Sequence, residues 1–205
     1  EDRIVVRNVR ELVDAPSLFT TTYTFMADGA LKVEVVWERK GEYVPELMRL
    51  GMRMIFPQNY KNFTFYGRGP WENYADRQES SLLGIYSQST DEQLFPYVRP
   101  QESGNKTDVR WLELTNEEGL GVRIEGLQPL SVSAMPYRSE DLDPGLGTKK
   151  QMHYSDIEPR REVVLHVDLA QRGLGGDNSW GMSPHDQYRL TGDRYEYGYI
   201  IRPLN

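Results

Sequence analysis

A chain of 205 residues with 38% hydrophobic and 27% charged side chains is long enough for one large domain or two small ones, and too apolar for a disordered segment. Its formal net charge of −7 argues against a nucleic-acid partner, and no apolar run approaches the ~20 residues of a membrane-spanning helix, so neither is expected as a partner. The absence of cysteine excludes a disulfide scaffold and a thiolate metal site, and leaves a cytoplasmic and a bacterial periplasmic location both open.

The first residues, EDRIVVRNV, carry no start methionine and no signal segment, and pass almost at once into an apolar, strand-like run. The chain reads as a piece of a longer protein. LFTTTYTFMADGALKVEVVWERK (18–40) is two alternating runs joined at Asp28-Gly29, which predicts a hairpin with a type I′ turn. Residues 38–46 follow as a long connection. In ELMRLGMRMIFP (46–57), Met48, Leu50, Met52, Met54 and Phe56 fall on one face and Arg49 and Arg53 on the other, the period of a half-buried strand. NYADRQESSLLGIY (73–86) and SEDLDPGLGTKKQ (139–151) have room for a helical turn or two before glycine or proline stops them. DVRWLELTNEEGLGVRIEGL (108–127) predicts a second hairpin about Asn116–Gly119, and residues 138–150 a second long connection. REVVLHVDLA (161–170) sets Val163, Leu165, Val167 and Leu169 against Val164, His166 and Asp168. QYRLTGDRYEYGYIIRPL (187–204) predicts a final hairpin at Gly192-Asp193, with Tyr195, Tyr197, Tyr199 and Ile201 on one face of its second arm. Many strands, frequent turns and almost no helix predict an all-β antiparallel sandwich or barrel, taken as one domain over residues 1–205.

Most chemistries find no support in these residues. His153, His166 and His185 are widely spaced, and His166 on the polar face of a strand reads as a surface residue, so no zinc site is expected. Glu117-Glu118 and Glu140, Asp141 and Asp143 lie in turns and read as solvated. There is no Gly-x-Ser-x-Gly elbow, and GLGG lacks the lysine and helix of a phosphate loop. Glycosidases need two carboxylates across the sugar, but with 31 acidic residues carboxylates alone discriminate nothing. The Asn-x-Thr triplets at 62–64 and 105–107 are read as chance matches.

Three loops remain. FYGRGPWENYADR (65–77) sets Tyr66, Trp71 and Tyr74 among Arg68, Glu72, Asn73, Asp76 and Arg77. PYVRPQESGNKTDVRW (96–111) holds Arg99, Gln101, Glu102 and Asn105 between prolines and a glycine. GLGGDNSWGMSPHDQY (173–188) places Trp180 in a segment that can form neither a helix nor a long strand. Aromatic rings among planar polar groups suit carbohydrate, since sugar C–H faces stack on rings while amides, carboxylates and guanidinium groups take the hydroxyls. The same residues can instead plug the ends of a sandwich, and composition alone favours the plug.

At these loops the sequence resembles the C-terminal, small-chain domain of large multidomain β-galactosidases of glycoside hydrolase family 2. The resemblance rests on YGRGPWENYADR, PYVRPQESGNKTDVRW and GLGGDNSWG in that order, and extends from about the hairpin at 18–38 to the end of the chain. It implies a galactose mutarotase-like β-supersandwich. It also implies a parent enzyme that removes terminal β-galactose with retention, and that can assemble as a homo-oligomer. The catalytic glutamates and the principal magnesium of such a parent belong to a catalytic barrel outside residues 1–205; sodium is implied for the parent as well, and no catalytic residue, metal ligand or cofactor is expected in this chain. The barrel of the same polypeptide and a β-galactoside are the implied partners. Trp180 takes the role of an aromatic platform on the aglycone side of the substrate. Asp177 and Asn178 shape its loop, and Arg68, Glu72, Asn73, Arg99, Glu102 and Asn105 support the loops and the domain interface. The family's domain begins further upstream, so absent first strands are expected to leave an open sheet edge. Two other functions stay open: a stand-alone carbohydrate-binding, lectin-like module, and a mutarotase-like epimerase acting alone.

Overall fold

The computed structural model describes residues 2–42, 45–145, 153–176, 178 and 180–205. Among these residues ten antiparallel strands carry the fold: β1 (Arg3–Leu12), β2 (Ser17–Met26), β3 (Leu31–Arg39), β4 (Arg49–Pro57), β5 (Asn62–Gly69), β6 (Leu82–Ser89), β7 (Lys106–Thr115), β8 (Gly121–Met135), β9 (Glu162–Gln171) and β10 (Arg194–Leu204). One helical turn, α1 (Ser139–Leu142), follows β8. The strands run in the order β1-β2-β3-β10-β8-β7-β5-β6, and β9 and β4 branch from β8. The expected all-β antiparallel sandwich is thus the observed class.

β8 makes the two layers possible. Residues 121–126 pair with β10, whereas residues 131–135 pair with β9. Where the strand leaves β10, the side chain of Gln128 takes over the ladder: its amide accepts from Gly198 N–H at 3.0 Å and donates to Gly198 C=O at 3.2 Å. A glutamine thereby satisfies a backbone pair that the departing strand would have orphaned. The layer of β4 and β9 brings Met52, Met54, Phe56, Val163, Leu165 and Val167 onto the cluster of Val33, Val35, Phe63, Phe65, Leu112, Leu114 and Ile124. Tyr197 and Tyr199 join the layers through their hydroxyls, to Val167 C=O at 3.2 Å and to the Met52 sulfur at 3.2 Å. Burial pushes both phenols far up.

Several expectations are corrected. The β2–β3 turn lies at Asp28-Gly29 but is not type I′, because Gly29 has positive φ and Asp28 does not. Gly29 N–H bonds Met26 C=O at 3.0 Å, and the Asp28 carboxylate accepts from Ala30 N–H at 3.0 Å. This is a four-residue turn closed by a left-handed glycine. β4 keeps the predicted face for Leu50, Met52, Met54 and Phe56, but its register shifts at Leu50/Gly51 and Met48 lies before the strand, exposed. No final hairpin forms. Residues 186–188 make a 3₁₀ turn and Leu190 bridges Leu47, while β10 pairs with β3 and β8. Two long apolar strands outcompete a short arm whose only large apolar groups are Tyr188 and Leu190. At the far edge, β1 pairs with β2 alone, and all ten of its residues are exposed.

Candidate functional site

The loops singled out in the sequence meet at one region of the sandwich, and two polar nodes join them. Asn73, fully buried, donates to Arg68 C=O at 2.9 Å and Trp71 C=O at 3.0 Å, and accepts from Thr107 N–H at 2.8 Å. Asn105 reaches back from the second loop to Asn73 C=O at 2.8 Å and takes the Ser131 hydroxyl at 2.7 Å. Glu72 is the other node. Its carboxylate accepts from Gly104 N–H at 2.8 Å, the Ser103 hydroxyl at 3.0 Å, Arg77 at 3.2 Å and the Tyr97 hydroxyl. All its acceptor capacity is spent on protein, so Glu72 supports structure and leaves nothing for a ligand. Arg68 pairs with Asp108 at 2.6 Å and holds Ser81 C=O at 3.0 Å. Arg99 lies exposed, apart from these nodes.

Glu102 belongs to a buried charged cluster that sequence reasoning missed. Arg49 of β4 spans it, meeting Glu102 at 3.0 and 3.1 Å, Gln171 at 2.9 Å, Asp168 at 3.1 Å and His166 Nδ1 at 3.1 Å. Asp168 is 1% exposed, and the approach of Arg49 is too bent to make a good hydrogen bond. Burial therefore wins and pushes its carboxyl up to about 7. His166 is not the surface residue expected from alternation, because Arg49 covers that face. An arginine can only donate, so Nδ1 must accept and the ring is neutral. Burial first, then the Arg49 charge, lowers its pKa to about 3.

A pH prediction follows from His166. A depressed histidine stabilises the fold above its unfolded value near 6.5, and that contribution is lost as pH falls toward about 3. His166→Asn should therefore lose about 2 kcal/mol less stability than the wild type between pH 7 and pH 5. Urea unfolding at the two pH values checks this, and equal losses would contradict it. The Glu140–Asp141 turn is likewise less solvated than expected: Arg160 grips Asp141 at 2.6 Å through two nitrogens and holds its carboxyl below the usual range.

The third loop leaves β9 and returns to the 3₁₀ turn at Asp186–Tyr188. Gly173 N–H to Tyr188 C=O, 2.8 Å, closes its stem. Asp76 of the first loop accepts from Leu174 N–H at 3.1 Å and Gly175 N–H at 2.8 Å. Asn178 turns the apex by accepting from Trp180 N–H at 2.8 Å. Asp177 lies outside the described residues. Trp180 is 93% exposed, so it is no plug. Beside these loops a cavity of about 590 Å³ opens between Trp71, Phe95, Tyr97 and Lys106, and Trp180 does not line it. Buried Lys106 donates to Gln93 at 2.9 Å, and desolvation lowers its pKa to about 8. Among the described residues, no three of His, Asp and Glu come together in a way that fits a metal ion.

These features define an all-β sandwich domain with cross-braced loops that expose two indoles, Trp71 at 71% and Trp180 at 93%. The sequence of residues 2–201 matches the family described as the β-galactosidase small chain, and the chain belongs to that family. It is 38% identical to a β-galactosidase of Priestia megaterium, over 89% of this chain and 17% of that protein. It is 37% identical to β-galactosidase BgaC of Bifidobacterium adolescentis, over 87% of this chain and 17% of that protein. A β-galactosidase of Streptococcus thermophilus is 27% identical over the whole of this chain and 20% of its own length. The chain thus spans about a sixth of the length of the Priestia megaterium and Bifidobacterium adolescentis proteins.

Proposed function

We propose that this chain is a non-catalytic domain of a retaining β-galactosidase, and that it lends Trp180 to the site where terminal β-D-galactosides are hydrolysed. The observation that carries the reading is the exposure of Trp180 on a loop whose stem and near limb are held by hydrogen bonds. A large apolar ring left in water on a braced loop gains free energy when a sugar's C–H face covers it. Because the stem and near limb are tied down beforehand, less conformational freedom is lost on binding. The Asn178 carboxamide holds the backbone of Trp180 and takes no part in chemistry. General acid and nucleophile come from the catalytic barrel of the same polypeptide, where the principal magnesium of such a parent would also act.

The isolated 205-residue chain should hydrolyse no o-nitrophenyl β-D-galactoside above the buffer rate. Sustained turnover by the purified chain would overturn the proposal. Galactose binding to the isolated chain at millimolar concentration, seen by calorimetry, would favour a lectin-like module instead.

A further inference from the structure

We propose that Asp76 and Glu46, which lie outside the loop that carries Trp180, are positioning residues for that tryptophan. The proposal rests on the reading that Trp180 meets the substrate. None of the described residues of 173–185 is in a helix or strand, so the place of the indole must be inherited from contacts to the rest of the fold. Two sets of such contacts are seen, and one bond closes the loop on itself. Gly173 N–H to Tyr188 C=O joins the two limbs. Glu46, in the connection before β4, meets Arg172 on the outgoing limb at 3.4 Å and Arg189 on the returning limb at 3.0 and 3.2 Å. All three side chains are less than a third exposed, so solvent screens this pair of contacts only in part. A single carboxylate thus bridges a cation at each end of the loop.

Asp76 fixes the limb nearer the apex. Its two oxygens each take one backbone N–H, from Leu174 and from Gly175. Charge-assisted bonds of this kind are stronger than neutral ones, and a carboxylate is needed to supply both acceptors. The residue between the anchors is shaped for the contact: a Cβ on Gly173 would lie 2.7 Å from the Asp76 carboxyl carbon and 2.9 Å from Tyr188 Cβ. Only glycine lets the limb approach so closely. Asp76 belongs to the loop that Asn73 and Glu72 lock to residues 103–107, so the rigidity of those nodes passes through one carboxylate to the tryptophan limb.

The test is a double-mutant cycle in the full-length enzyme, read as KM and kcat for lactose with the melting temperature measured beside them. Asp76→Asn keeps size and one acceptor but turns an N–H donor toward a backbone N–H. Asp76→Asn and Glu46→Gln should each raise KM about threefold to tenfold, the range of one aromatic contact, with little change in melting temperature. Either substitution should add little in a Trp180→Ala background, because the group it positions is gone. Gly173→Ala should reproduce the effect by pushing Asp76 away, and keeps the cycle open if an acid variant folds poorly. If Trp180→Ala alone leaves KM unchanged, the substrate reading of Trp180 fails. If Trp180→Ala raises KM while the Asp76 and Glu46 variants either do nothing or add their full effect on top of it, positioning is overturned and the Trp180 reading stands.

Discussion

Arg49→Ala is expected to destabilise the domain by about 3–5 kcal/mol, the cost of removing one partner from a buried ion cluster. The guanidinium reaches two carboxylates and an imidazole, and no other cation reaches Asp168 among the described contacts. Without Arg49, Asp168 must stay protonated or unfold the strand pair that buries it. That gives the loss a pH signature. A carboxyl raised to about 7 in the folded state contributes stability below its ordinary value near 4, and loses it as pH rises through the folded value. Arg49 opposes that rise, so deleting it raises the folded value further and extends the loss above pH 7. Urea unfolding should show a larger deficit for Arg49→Ala at pH 8 than at pH 5. Equal deficits would mean that Arg49 contributes packing and not charge.

Asn73→Ala should cost about 3 kcal/mol, or roughly 6–12 °C of melting temperature for a domain of this size. The alanine removes a fully buried partner from two carbonyl groups and the Thr107 N–H. The deletion also frees Trp71 and the turn leading to Asp76 from their shared anchor. Asn178→Ala is the fitting control, since among the described residues its exposed carboxamide bonds Trp180 and Met182 of its own loop. It should leave the melting temperature within about 1 °C of wild type, as expected for a surface substitution. Comparable losses for the two variants would contradict the assignment of Asn73 as the node.

Much of this architecture is legible in the residues themselves. Period-two alternation places β2, β3, β4, β7, β9 and the tyrosine face of β10, because each has one face on the core. Glycines and prolines mark residues 65–77 and 96–105 as loops, while the supporting roles of Glu72, Asn73 and Asn105 are what the family resemblance implies. What alternation does not report is whether the polar face is covered. His166 and Asp168 alternate as surface residues do, yet Arg49 and the loop of Glu102 close over them. Pairing between distant segments is equally silent. β10 prefers β3 and β8 to its own neighbour, and Glu46 and Asp76 acquire their partners 98 to 143 residues away. An isolated Asp in an Asn-Tyr-Ala-Asp turn carries no local mark of the limb it will hold. Trp180 is the reverse case: composition favours a plug, and only the family resemblance points outward, where the side chain is found.

The most direct measurement is the steady-state kinetics of Trp180→Ala in the full-length enzyme with lactose as substrate. Loss of one aromatic platform on the aglycone side predicts a KM raised about threefold to tenfold, a lower kcat, and an unchanged melting temperature. A KM and kcat indistinguishable from wild type, in a variant that folds normally, would contradict a role for this domain at the substrate.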